Sequence, residues 1–150
     1  MAEERNAAVV RRAIEEVWTR GQLEVADLLF APTYVNHSGL IPDLVRGPEA
    51  IKIGVVLFRT GFPTLRIAIE RLVAEGELVE VHWAAHHTPT ASQVVSAGAS
   101  RRERFTGTTL SRLAEGQIVE SWTTWDRQGV LQELGIVHPT TPTDAPPGST

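Results

Sequence analysis

Asp126 ends a stretch of alternating side chains that could place a carboxyl group beside an aromatic ring. In a strand without a bulge, every second side chain shares a face, so Trp122, Thr124 and Asp126 would lie together. If that face lines an apolar pocket, burial raises the pKa of the aspartate toward the range that suits general acid–base catalysis. Aspartate is also favoured at the start of a helix, and Arg127-Gln128-Gly129 follows here. Spacing alone leaves both interpretations open, a catalytic carboxyl group and a helix cap.

Three of the five histidines lie close together in the sequence and raise the question of a metal site. His82 and His86 share one face of a predicted strand, whereas His87 lies on the opposite face with Trp83. No carboxylate between residues 81 and 92 completes a set of two histidines and one carboxylate. Histidines four residues apart along a strand are also too distant to share an ion. We therefore expect no metal and no other cofactor.

The composition is that of one globular domain with its own core. The chain has 150 residues, of which 42% are hydrophobic and 21% are charged. A net charge of -4 offers no basic surplus for a phosphate backbone, so we expect no nucleic acid partner. No apolar run is long enough to span a bilayer or to act as a secretion signal, so we expect no membrane association and a cytoplasmic protein. Without cysteine, thiolate chemistry and disulfides are excluded.

The first sixty residues show the spacing of three helices. Apolar residues recur at helical spacing from Arg5 to Arg20 and again from Gln22 to Phe30, where Pro32 ends the pattern. A third helix begins at Gly47-Pro48-Glu49 and ends near Gly61. Phe58, on the apolar stripe of this helix, is a candidate for substrate binding.

After Pro63 the apolar period changes to two, which is typical of strands. A turn at Glu75-Gly76-Glu77 predicts one hairpin, and a turn at residues 114–117 predicts a second hairpin between 104–113 and 118–125. Helices followed by strands indicate an α+β fold, with three N-terminal helices packed on a strongly curved antiparallel sheet. Such a cone would hold an interior pocket for a small ligand. We predict this domain over residues 1–137 and a proline-rich disordered tail over 138–150.

The chain resembles the SnoaL-like polyketide cyclases over roughly residues 5 to 136. The matching segments of the second half are Phe105–Leu110, Arg112–Trp122, Asp126 and Gly129–Gly135. Those of the first half are Tyr34–His37, Gly47–Ile51 and Phe62–Leu65. The resemblance implies the cone-shaped fold of the nuclear transport factor two and ketosteroid isomerase superfamily.

The resemblance also implies a reaction. In these cyclases, an aspartate at the place of Asp126 is the acid–base residue of an intramolecular aldol ring closure, and neither a metal nor a cofactor takes part. His37 is then the second catalytic candidate. Asn36 and Tyr34 become candidates for orienting the substrate, because the family's short strand enters the pocket there. The remaining candidates for substrate binding are Trp83, His87, Trp122, Thr124 and Phe58.

The implied partner is an apolar small molecule from a polyketide or related pathway, and relatives often form homodimers. Family members often carry a histidine on the strand before the one that ends in aspartate, and residues 106–113 contain none. Other reactions on the same fold therefore stay open. These are epoxide hydrolysis, a hydroxylation-type step, and binding of a small molecule without catalysis.

Overall fold

The computed structural model describes residues 2–38, 45–88 and 104–125, and the chain folds there into helices and one sheet. The helices are α1 (Ala2–Arg12), which continues as a π-helical segment (Ala13–Thr19), α2 (Leu23–Leu29) and α3 (Pro48–Gly61). The strands are β1 (Phe30–Asn36), β2 (Arg66–Glu75), β3 (Leu78–His86), β4 (Arg104–Ala114) and β5 (Gln117–Trp125). The α+β class and the three helices are as the sequence predicts.

Both predicted hairpins are present in the sheet. Strands β2 and β3 pair antiparallel, as do β4 and β5, and β3 pairs antiparallel with β4. Gly76 and Gly116 lie in the two turns with φ of 60° and 80°, a conformation that glycine adopts without steric cost. The strand order β1-β5-β4-β3-β2 leaves the curved sheet open, as in a cone that does not close into a barrel.

One strand makes the sheet mixed rather than purely antiparallel. Residues 30–36 form β1, which runs parallel to β5 at the edge of the sheet. Helix α2 ends at Leu29, and Pro32, the predicted helix breaker, lies three residues later within this strand. An edge strand tolerates proline because its missing N–H falls where no neighbouring strand needs a donor.

A bulge in β5 changes which face of the sheet the following side chains lie on. Leu113 pairs with Ile118, whereas Arg112 pairs with Glu120, so Val119 is an extra residue in β5. One extra residue moves every later side chain to the other face of the sheet. Ile118 is buried in the core at 2% exposure, and Trp122, four residues later, is 38% exposed.

The core lies between the helices and the inner face of the sheet. Its most deeply buried aliphatic residues come from every layer: Val17, Val55, Val79, Val81 and Leu113. Within the described ranges, no helix is long and apolar enough to cross a membrane. Asp126 and the predicted tail fall outside the described residues.

Candidate functional site

A partly open cavity of about 230 Å³ lies between the helices and the inner face of the sheet. Its helical side is apolar and comes from α1, the π-helical segment and α3. The lining residues on this side include Val10, Ile14, Trp18, Ile51, Gly54 and Phe58. Its apolar character suits a small apolar ligand, and its volume is somewhat below the usual range of ligand pockets, which begins at about 300 Å³.

The wall formed by β4 and β5 carries hydroxyl groups. Thr109 pairs in register with Thr123, and Ser111 pairs with Ser121, and all four line the cavity. The hydroxyl oxygens of Thr109 and Thr123 are 2.9 Å apart, and the indole Nε1 of Trp83 donates to Thr109 over 3.0 Å. This network fixes the Trp83 ring against one side of the cavity.

Tyr34 on β1 adds a further hydroxyl to this wall. Its Oη lies 2.5 Å from Ser121 Oγ, and the two side chains belong to residues that are 0% and 6% exposed. Burial raises the pKa of Tyr34 well above the usual range, and the hydrogen bond to Ser121 opposes part of that increase. The tyrosine is therefore a neutral donor or acceptor at any physiological pH.

The end of β1 is fixed to β5 by short polar contacts. The backbone N–H of Thr123 donates to Ser38 Oγ over 2.8 Å, and the N–H of Ser38 donates to Asn36 Oδ1 over 3.1 Å. His37 N–H donates to the carbonyl of Ser121 over 2.9 Å. Asn36 and Ser38 both line the cavity, so this junction forms one of its margins.

Aromatic rings close another side of the cavity. The ring centroids of Trp125 and Phe58 are 5.4 Å apart, and those of Trp125 and Trp83 are 6.2 Å apart. Trp83 also packs edge to face on Phe105 at 6.2 Å. Trp125 thus lines the cavity as the last described residue before Asp126 in the chain.

Four of the residues proposed from the sequence come together at this cavity. Tyr34, Asn36, Phe58 and Trp83 all line it. They lie on three elements that are far apart in the sequence: β1, α3 and β3.

Trp122 and Thr124 lie on the outer face of the sheet, which corrects the prediction that they line the pocket. The bulge at Val119 is the reason, since it brings Ser121, Thr123 and Trp125 to the inner face instead. The alternation that linked Asp126 to a pocket-facing Trp122 therefore gives its catalytic role no support. The support for Asp126 comes from the family resemblance alone.

His37 and His87 do not line the cavity. The His37 ring stacks on Trp122 at 4.8 Å with an interplanar angle of 8°, and its Nε2 lies 3.9 Å from Glu120 Oε1. His87 is buried on the core side, and its ring lies 4.3 Å from Phe62. We therefore place His37 on the outer face and His87 in the core beside the site.

The described cavity lining contains no charged side chain and no histidine. Its polar groups are hydroxyls, the Asn36 amide and the indole N–H groups of three tryptophans. Across the described ranges, no three histidine, aspartate or glutamate side chains are grouped in a way that could hold a metal ion. Any carboxyl group that acts on a ligand here must come from outside the described part of the chain, where Asp126 is located.

The sequence analysis did not identify the hydroxyl residues of the wall or Trp125. One signal was available, because serine and threonine alternate on both strands at Thr109, Ser111, Ser121 and Thr123. Such a match between neighbouring strands indicates a shared polar face.

Gly107 provides a test of how the Trp83 ring is held. A Cβ at Gly107 would overlap the Trp83 ring, which lies across from it in the β3–β4 register. We expect Gly107→Ala to push the ring into the cavity, lower stability by about 1–3 kcal/mol and shift the tryptophan fluorescence. Gly54→Ala is the control, because its Cβ would meet Trp18 at an ordinary 3.5 Å within a helix, where alanine is favoured. Equal melting temperatures for Gly107→Ala and wild type would contradict this packing.

The sequence matches the profile of one known protein family. The sequence profile of the SnoaL-like polyketide cyclases matches residues 8–134. No curated protein matches the chain in sequence.

Solved structures of similar fold carry related descriptions. A candidate SnoaL-like polyketide cyclase from Jannaschia sp. CCS1 is 22% identical with a TM-score of 0.70, over 91% of this chain and 95% of its own. A candidate polyketide cyclase from Bacillus cereus is 20% identical with a TM-score of 0.70, over 89% and 83%. IdmH, a candidate polyketide cyclase from Streptomyces antibioticus, is 26% identical with a TM-score of 0.65, over 87% and 98%.

Proposed function

Because the chain belongs to the SnoaL-like polyketide cyclase family, we propose that it is an enzyme that closes a ring in an apolar small molecule by acid–base catalysis. The reaction is an intramolecular aldol closure on a secondary-metabolite intermediate, with Asp126 as the acid–base residue. The observation that carries the proposal is the family match over residues 8–134, together with a largely apolar cavity that could hold such a molecule.

The proposed reaction needs one proton acceptor and no redox partner. The Asp126 carboxylate removes a proton from a carbon flanked by two carbonyl groups, which gives an enolate. The enolate carbon attacks a further carbonyl carbon, elsewhere in the same molecule. The new carbon–carbon bond closes the ring. The carboxylic acid then returns the proton to the alkoxide oxygen. Positioned acid–base catalysis of this kind contributes about 10²–10⁴ in rate.

The cavity would contribute orientation as well as space. Closing a ring requires the two reacting carbons of a flexible chain to be held near each other, and positioning of this kind lowers the barrier substantially. The apolar helical side would hold the hydrocarbon part of the substrate. The hydroxyl wall on β4 and β5 would bind its oxygen atoms.

A second candidate function is binding without catalysis. The observation that favours it is the uncharged lining among the described residues, which by itself offers no proton acceptor stronger than a hydroxyl group. Asp126→Asn separates the two candidates, because it abolishes proton transfer in an enzyme and leaves the affinity of a simple binding protein unchanged. Epoxide hydrolysis and hydroxylation gain no support from the described residues.

His37 is proposed to hold the β1–β5 junction beside the site through its backbone, rather than to move a proton. Its ring stacks on Trp122 outside the cavity, while its backbone N–H holds the β1–β5 junction at Ser121. We expect His37→Gln to change both KM and kcat by less than about threefold, since the ring lies outside the cavity and glutamine keeps the backbone contact. Steady-state kinetics over a range of substrate concentrations separate these two terms. A loss of kcat as deep as that of Asp126→Asn would make His37 a catalytic partner.

A further inference from the structure

The Tyr34–Ser121 hydroxyl pair holds one more proton than its own hydrogen bond uses. Each hydroxyl group carries one proton and can both donate and accept. The contact between Tyr34 Oη and Ser121 Oγ uses one of the two protons, whichever oxygen donates. Neither oxygen makes a second hydrogen bond to another residue that the structure describes.

Ser121 presents the pair's spare proton to the cavity. Tyr34 and Ser121 both line the cavity, but the residues are 0% and 6% exposed, so Ser121 Oγ is the oxygen with surface that a ligand can reach. A buried donor without an acceptor is costly, so such groups normally find a partner. Around the pair the lining is mainly apolar, with Phe30 packed edge to face on Tyr34 at 4.8 Å.

We propose that the Tyr34–Ser121 pair donates a hydrogen bond to a neutral carbonyl oxygen of the ligand. The bond would set which edge of an apolar molecule faces β1 and β5. The proposal rests on the proposed function only in taking the same cavity as the substrate site. A neutral oxygen fits better than a carboxylate, because the described lining contains no cation to balance a buried negative charge.

The Thr109–Thr123 pair is the competing donor on the same wall. It also shares one mutual hydrogen bond between two hydroxyl groups, but Thr109 already accepts from the Trp83 indole. Both threonines are half-buried on the same cavity wall, so water in the cavity can also accept their spare proton. The Tyr34–Ser121 pair is more deeply buried, where a donor without an acceptor costs more.

Two probes with the same bicyclic skeleton test the proposal: 1-tetralone, which has one carbonyl group, and tetralin, which has none. Dissociation constants are measured by titration calorimetry on the full chain. In Tyr34→Phe/Ser121→Ala, we expect the dissociation constant of 1-tetralone to rise about tenfold and that of tetralin to change less than twofold. Each single variant keeps one hydroxyl donor and should weaken 1-tetralone less than threefold. Thr124→Val removes a hydroxyl from the outer face of β5 and should change neither constant.

An equal change for both probes in the double variant would overturn the proposal, because it would show a packing effect and no bond to the carbonyl. Tighter binding of tetralin-1-carboxylate than of 1-tetralone would overturn the choice of a neutral oxygen. If the double variant does not fold, the carbonyl stretch of 1-tetralone bound to the wild type decides. A band shifted below its frequency in cyclohexane supports the bond, and an unshifted band rejects it.

These equilibrium measurements are independent of turnover. Full activity in Asp126→Asn would end the proposed acid–base function and leave the hydrogen bond to the carbonyl standing. Conversely, a rejected hydrogen bond would leave Asp126 as the proposed proton-transfer group.

Discussion

Asp126→Asn should lower turnover by about two to four orders of magnitude while folding and ligand binding persist. Asparagine keeps the size of the side chain and most of its hydrogen bonds, but it cannot accept a proton at neutral pH. The measurement is conversion of a linear poly-β-ketone intermediate, with the substrate and the cyclised product separated by chromatography. The wild-type rate should also fall in acid as this carboxyl group becomes protonated.

Asp27→Asn is the matched control for this experiment. It makes the same chemical change at a carboxylate that lies on α2, pairs with Lys52 over 2.9 Å and is 55% exposed. We expect it to keep wild-type turnover. Near-normal turnover in a folded Asp126→Asn protein would reject the acid–base proposal and would favour the second candidate, binding without catalysis.

The parts of the fold that depend on local residue choice could be predicted from the sequence. Gly76 and Gly116 mark the two hairpin turns, and the alternation correctly groups Val79, Val81 and Trp83 on one face of β3, which the structure shows to be the inner one. These features depend on near neighbours in the chain, and so the sequence pattern reports them directly.

Which side chains of β5 lie on the inner face of the sheet could not be predicted in the same way. The bulge at Val119 separates inward-facing Ile118 from the later inward-facing residues. In the sequence of the bulge itself, two adjacent apolar residues, Ile118 and Val119, are the feature that departs from alternation. Whether an apolar pair forms a bulge depends on the pairing with β4, which is a contact outside the segment. The same tertiary pairing brings Tyr34 next to Ser121, 87 residues away, and no local pattern indicates that contact.

Gly47 connects two elements of the cavity wall through its backbone. Its N–H donates to the carbonyl of Tyr34 over 2.8 Å, and its own carbonyl accepts from Ala50 N–H over 3.0 Å in the first turn of α3. It therefore joins the strand that carries Tyr34 to the helix that carries Phe58. Its φ of 78° and ψ of -168° fall in a region that is essentially restricted to glycine.

We expect Gly47→Ala to cost about 3 kcal/mol of stability and to lower the melting temperature by about 6–12 °C. Beyond the backbone strain, the new Cβ would lie 2.7 Å from the carbonyl oxygen of Pro32, a backbone atom that cannot rotate away. Gly76→Ala is the control, since φ is also positive, at 60°, but no atom lies within 4 Å of its Cβ. That variant should lose only about 1 kcal/mol, the strain of the left-handed conformation. Thermal unfolding of the two variants gives the comparison, and equal losses would show that the contact with Pro32 has no part in holding the β1–α3 junction.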